Sequence, residues 1–158
     1  MLKNNTSSFI ANAAIIAAVY AALTLILAPI SFGVFQIRLS EALCVFSLFT
    51  PAAIPGITIG CLLANLLGGG GVWDVVLGSL ASLIGCFGMY KLRNRKYIAP
   101  LVNVLSNGVI VGLMLHHIYG FSSPLICVLL ITAEELVPMY ALGLPLAAFI
   151  SKKGFLLK

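Results

Sequence analysis

The sequence predicts an all-α integral membrane bundle of six transmembrane helices, and three observations carry that prediction: composition, the length of the apolar runs and the placement of charge. Of 158 residues, 61% are hydrophobic and 8% charged, and the mean hydropathy is +1.15. That leaves too little polar surface to cover a soluble globule, so lipid is the solvent. Backbone groups in hydrocarbon need local partners, which makes the bundle helical. Nine Lys and Arg outnumber four Asp and Glu, but they lie mainly in short clusters between or beyond apolar runs. That is the pattern of cytoplasm-facing loops and excludes a phosphate-tracking surface for nucleic acid.

A span needs about twenty residues at 1.5 Å each, which places helices near 9-29, 38-50, 54-68, 73-90, 98-118 and 124-150. The first apolar run is too long for the hydrophobic part of a signal peptide and is expected to be retained as a span. Its residues Ala13, Ala17 and Ala21 share one face and Ala14, Ala18 and Ala22 another. This double small-residue stripe lets a helix approach closely, whether from this chain or another subunit. The second and third segments are divided only by Thr50, Pro51 and Pro55-Gly56, so 38-68 also reads as one kinked element. The tetraglycine Gly68-Gly71 separates the third from the fourth, which opens at Trp73-Asp74. The fifth carries Asn103 and Asn107 four apart, and the sixth carries the tandem Glu134-Glu135.

Charge decides the count. With six spans and the N-terminus inside, Lys3, the run Lys91, Arg93, Arg95, Lys96, and finally Lys152, Lys153 and Lys158 are all cytoplasmic, leaving Arg38 outside. Five spans would turn the KLRNRK loop outward, against the positive-inside rule. Residues 1-158 form a single transmembrane domain with both termini cytoplasmic.

In this topology Arg38, Glu41 and Asp74 fall at the outer ends of helices two and four, where they can converge. Glu134 lies about twelve residues in from Ser122, so roughly 18 Å deep, near mid-bilayer. Glu135 points about 100° away around the axis, so one of the two lines a cavity. A carboxylate at that depth costs roughly 2.5 to 3.5 kcal/mol on insertion scales and demands a polar partner, a wet cavity or protonation. It serves either a ligand or an interhelical network. Arg38 and Glu41, three apart, either pair with each other or face a ligand, and Asp74 is a ligand group or only a cap. Asn65, Asn103 and Asn107 either join helices or bind ligand. Trp73, Tyr119 and Phe121 read as interfacial belt residues or as a stacking surface for a flat ligand. Cys44, Cys61, Cys86 and Cys127 stand singly in apolar stretches and read as packing residues. His116 and His117, at the outer interface, are assigned no metal.

There is no GxxxxGK[ST], because Gly68-Gly71 runs into Val-Trp-Asp without the phosphate-reaching lysine. Nor is there a nucleophile elbow or a HExxH, so the chain is expected not to be an enzyme and to hold no cofactor of its own.

The stretch QIRLSEALCVFSLFTPAAIPGITIGCLLANLLG from Gln36 to Gly68, then VWDVVLGSLASLIG from Val72 to Gly85, and Glu134-Glu135 followed by Pro138, resemble the QueT family of queuosine-precursor transporters, substrate-binding S components of energy-coupling-factor (ECF) importers. The resemblance covers essentially the whole chain. It implies six helices in a prokaryotic cell membrane, a pocket open to the exterior, and a transmembrane T component with two ATPases that supply the ATP hydrolysis. It also implies that the S component topples to release cargo inward, and that an alanine-rich first helix (Ala13, Ala14, Ala17, Ala18, Ala21, Ala22) docks on the T component. The implied cargo is a 7-deazaguanine such as 7-aminomethyl-7-deazaguanine. For that cargo, one of Glu134 and Glu41 would read the guanine edge and Asp74 or the remaining one of those two glutamates would meet the ammonium, with Glu135 a further binding residue. Arg38 would bind O6 or orient Glu41, with Asn65, Asn107 and Trp73 completing the site. The competing expectations are an S component for another flat vitamin, an autonomous proton-coupled carrier, and a non-transporting membrane scaffold.

Overall fold

The computed structural model describes residues 6–32 and 37–153; Lys3, Gln36 and Lys158 lie outside them. Helix α1 is Thr6–Ile26, followed by the short α2, Ala28–Ser31, a ten-residue 3-10 helix, Leu39–Leu48, and α3, Ala53–Leu67. A π-helical turn, Asp74–Gly78, runs into α4, Ser79–Lys91; α5 is Ala99–His117; α6, Pro124–Leu136, continues through a second π-helical segment, Val137–Gly143, into α7, Leu144–Lys153. Among the described residues every regular element is helical.

Four stretches are long and apolar enough to cross a bilayer: Thr6–Ile26, Asp74–Lys91, Ala99–His117 and Pro124–Lys152. The two central elements fall short of a hydrocarbon core of about 30 Å. At 1.5 Å per residue, the fifteen residues of α3 reach about 22 Å. The second expected span, 38-50, is instead the 3-10 helix, whose ten residues reach about 20 Å at 2.0 Å each.

The 3-10 winding has a visible cause in its burial. Residues three apart eclipse one another in this helix, and from Glu41 to Leu48 two buried positions alternate with one half-buried position, Leu43 and Phe46 being the half-buried ones. The segment is thus buried on two of its three faces at the centre of the bundle. The second π segment has a different cause. Pro138 carries no N–H for the carbonyl of Glu134 four residues back, so the α ladder cannot continue there.

The core gathers Tyr20, Val45, Leu48, Ile57, Met89 and Met139 with three of the cysteines, Cys44, Cys61 and Cys86; Cys127 is buried in a smaller cluster with Leu115 and Ile131. α1 packs chiefly on α3, and α5 on α6. The first seam is backbone on backbone: a Cβ at Gly56 would lie 2.8 Å from the Ala13 carbonyl oxygen, and one at Gly60 2.8 Å from that of Ala17. This divides the two alanine stripes. Ala13, Ala17 and Ala21 are buried within the chain, out of a partner's reach, whereas Ala14, Ala18 and Ala22 are exposed.

Candidate functional site

Two buried polar clusters lie within the bundle, linked through α5, which contributes Asn103 to one and Asn107 to the other. The first is a hub around Glu41, which is 1% exposed. Tyr20, on α1, donates its phenolic hydrogen to Oε1. The Cys44 thiol and the Asn103 amide reach Oε2 at 3.1 and 3.2 Å. Thr24 extends the network, its hydroxyl bridging the Ser40 hydroxyl at 2.6 Å and the Tyr20 carbonyl at 2.8 Å. The elements that meet here are α1, the 3-10 helix and α5. Three-residue periodicity puts Glu41 and Cys44 on one edge, and a tyrosine in the middle of an alanine-rich helix supplies a hydroxyl that needs an acceptor.

The second cluster is less complete. Arg38, Asn107, Val111, Ile131 and Glu135 line a cavity of about 10 Å³, room for about one water. Arg38 precedes the 3-10 helix in extended backbone. Its Nη1 lies 3.7 Å from the Cys61 sulfur, and its guanidinium stands 5.5 Å over the Phe32 ring. Its Nε has no hydrogen-bond partner, and neither does Glu135 Oε2. Glu135 feels the charge of Arg38 across the cavity and those of Glu41 and Glu134 behind it. Asn107 spends its amide on the Asn103 carbonyl at 3.1 Å, one turn back in its own helix. Glu134, adjacent in sequence, is also buried but does not line this cavity.

Asp74 closes the end of the bundle. Its Oδ2 accepts from the Gly71 N–H at 3.0 Å and from the Tyr119 hydroxyl. That hydrogen bond pushes the Tyr119 phenol up to about 12. Asn65 donates to the Asp74 carbonyl at 2.9 Å and to the Cys61 sulfur at 3.5 Å, leaving its own buried Oδ1 without a partner. Gly78 makes this packing possible, because a Cβ there would come within 3.1 Å of Asn65 Nδ2 and 4.0 Å of Arg38 Nη1. Trp73 is 53% exposed and lies on the surface.

The structure therefore brings together Arg38, Asn107 and Glu135, joins Asn65 to Asp74 beside them, and turns Glu41 toward protein donors. Tyr20, Cys61 and Gly78 belong to these clusters and were not singled out as site residues from the sequence, while Tyr119, read there as a belt or stacking residue, donates to Asp74. Tyr20 carried a signal, a lone phenol at mid-helix; Gly78 and Cys61 carried none that differs from ordinary packing.

The family model for the QueT transporter matches residues 10–152. A curated relative, the "Queuosine precursor transporter QueT" of Lactococcus lactis subsp. cremoris (strain MG1363), is 38% identical over 85 residues, covering 52% of this chain and 50% of that protein. The match thus spans about half the length of that relative. No solved structure matches.

Proposed function

The chain belongs to the QueT transporter family, and from that premise we propose that it is the S component of an ECF-type importer for a queuosine precursor, with Arg38 and Glu135 as the pair that reads its base. The observation that carries the reading is the cavity they share: a buried guanidinium and a buried carboxyl group, each with a polar atom lacking a hydrogen-bond partner, line one small space. Buried polar atoms are normally satisfied, and exceptions call for an explanation such as an absent ligand.

The chemistry fits a 7-deazaguanine. Its Watson–Crick edge presents a carbonyl acceptor, O6, next to two parallel donors, N1–H and the exocyclic amine. A guanidinium complements the first and a carboxylate the other two. Asn107 lines the same wall, Asn65 lies next to Arg38 beside Gly78, and Asp74 is the carboxylate within the same end of the bundle for a cationic aminomethyl group. Glu134 is a second candidate for that ammonium. Glu41 acts indirectly, holding Tyr20 and Asn103 and adding negative charge behind Arg38. At about 10 Å³ the cavity is too small for a bicyclic base, so binding requires it to widen. The π-helical segments on either side, at Asp74–Gly78 and Val137–Gly143, are the joints where α4 and α6 depart from a continuous ladder.

We read the architecture as six membrane-crossing segments, the short 3-10 helix buried among the others and the short α3 exposing Ile59, Leu66 and Leu67, with both termini and the Lys91–Lys96 loop cytoplasmic. The exposed stripe Ala14, Ala18 and Ala22 is then the face for the T component, since small residues allow close helix approach. ATP hydrolysis belongs to two partner ATPases.

The test is equilibrium binding of 7-aminomethyl-7-deazaguanine to the purified protein in detergent, with guanine, riboflavin and biotin as comparators. Selective binding of the deazaguanine supports the reading. A well-folded protein that prefers riboflavin or biotin points to another flat vitamin, and one that binds none of the four removes the capture function.

A further inference from the structure

The opposite end of the bundle carries a second feature that the transport reading does not use. A cleft of about 320 Å³ opens between the loop before α5 and the last helix, lined by Lys96, Tyr97, Leu144, Ala147, Ala148, Ser151 and Lys152. A neighbouring cleft of about 370 Å³ adds Arg95 and shares Lys96 and Tyr97. The volumes are those of small-ligand sites.

Its chemistry is amphipathic in one direction. Two ammonium groups and the Ser151 hydroxyl stand at the rim, and Leu144, Ala147 and Ala148 form an apolar wall leading toward the membrane-spanning part of the helix. The loop is fixed to this wall at two points: Lys96 Nζ donates to Ser151 Oγ at 3.2 Å, and the Tyr140 hydroxyl donates to the Tyr97 carbonyl at 2.9 Å. Two of the other loop cations are engaged elsewhere. The Arg93 guanidinium stacks 4.4 Å from the Tyr90 ring and donates to the Tyr90 carbonyl at 3.1 Å, and Lys91 sits 5.3 Å from the Phe87 ring. All four acidic residues, Glu41, Asp74, Glu134 and Glu135, are absent from the lining of both clefts, so among the described residues no carboxylate side chain shares these clefts with the lysines. Tyr97, 78% exposed, marks headgroup depth as interfacial tyrosines do.

We propose that this cleft binds an anionic phospholipid, its phosphate between Lys96 and Lys152 and the start of an acyl chain along Leu144 and Ala148. Lys96 has two ammonium donors left after Ser151, and the apolar wall gives the lipid something that a free phosphate cannot use. The site goes beyond the transport reading and does not depend on it.

Native mass spectrometry of the protein in detergent, titrated with phosphatidylglycerol and with phosphatidylcholine of the same acyl chains, tests it. Phosphatidylglycerol is expected to be retained preferentially. Lys96→Ala with Lys152→Ala should reduce that preference about twenty-five-fold, each lysine contact being worth about fivefold. Lys91→Ala with Arg93→Ala, which removes the same total charge from the same end of the bundle, should leave it largely intact. Equal retention of the two lipids overturns the proposal, as does an equal loss in both double variants, which would indicate diffuse attraction to the whole loop. Displacement by millimolar inorganic phosphate would overturn it in favour of a free-anion site. Unchanged gel-filtration and helical circular-dichroism profiles identify the variants as folded, and single replacements to Gln serve where a double variant is not.

Discussion

Glu41 and Glu135 are both glutamates buried within the bundle, yet they stand in opposite conditions. Both Glu41 oxygens accept hydrogen bonds, from a phenol on one side and from a thiol and an amide on the other. Glu135 keeps an oxygen without a hydrogen-bond partner, facing a cavity whose other charged wall is Arg38. A saturated carboxylate holds helices together, and an unsaturated one beside a cavity is where a ligand's donors have somewhere to go. The same composition in the same membrane-spanning region therefore gives a structural node and a candidate recognition group, distinguished by what surrounds each.

Removing the hub has the largest expected effect. Glu41→Ala strips the acceptor from Tyr20, Cys44 and Asn103 at once, and buried donors left unpaired cost about 1–3 kcal/mol each. A loss of about 3 kcal/mol or more, seen as a large drop in melting temperature in detergent, is expected whether or not ligand is present. A smaller effect should come from pushing on the hub through its neighbour. A Cβ on Gly60 would approach the Ala17 carbonyl oxygen to 2.8 Å and Tyr20 Cβ to 2.9 Å. Gly60→Val should therefore destabilise by about 1–3 kcal/mol through overpacking, while Gly69→Ala tests only the turn, where φ is +80°. If Gly60→Val melts like the wild type, the α1–α3 seam is looser than described.

The smallest expected effect is a titration at the closed end. The bond to Asp74 pushes the Tyr119 phenol up to about 12 from its ordinary 10.0. A group whose folded pKa is raised contributes its stabilisation fully below its unfolded value. Here that contribution is present below about pH 10 and is lost as pH rises toward 12. In ultraviolet difference titration against Tyr119→Phe, one tyrosine should ionise near 12. Ionisation near 10 would mean that Asp74 is not held this way.

Much of this fold was legible in the sequence because hydropathy reports the solvent directly. The helical class, the four long segments and the breaks at Gly68-Gly71 and at the basic loop followed from the pattern of apolar and charged residues. The 3-10 helix at Leu39–Leu48 was not legible, because a short apolar run buried on two of its three faces looks like any other apolar run until its neighbours are placed. The site was half legible. Charged residues in hydrocarbon announce themselves by their cost, so Arg38, Asp74, Glu134 and Glu135 stood out. Which glutamate faces the cavity depends on helix rotation and on the π segment at Pro138, and spacing alone does not give that. The alanine stripes were legible as a pair, but assigning one to α3 and leaving the other exposed required the glycines of the opposing helix.

The most direct test of the central distinction is the melting temperature of wild type, Glu135→Gln and Glu41→Gln in detergent, each with and without saturating 7-aminomethyl-7-deazaguanine. A ligand that binds only the folded state raises stability in proportion to the logarithm of its saturation, so the shift reports binding and the starting point reports the scaffold. Glu135→Gln should melt close to wild type without ligand and lose most of the ligand shift, reflecting a roughly tenfold to hundredfold weaker complex from one charge-assisted bond. Glu41→Gln should start lower and keep a shift. The reverse pattern, in which Glu135→Gln keeps the full ligand shift and Glu41→Gln loses it from an unaltered starting point, would contradict the account and exchange the roles of the two carboxylates.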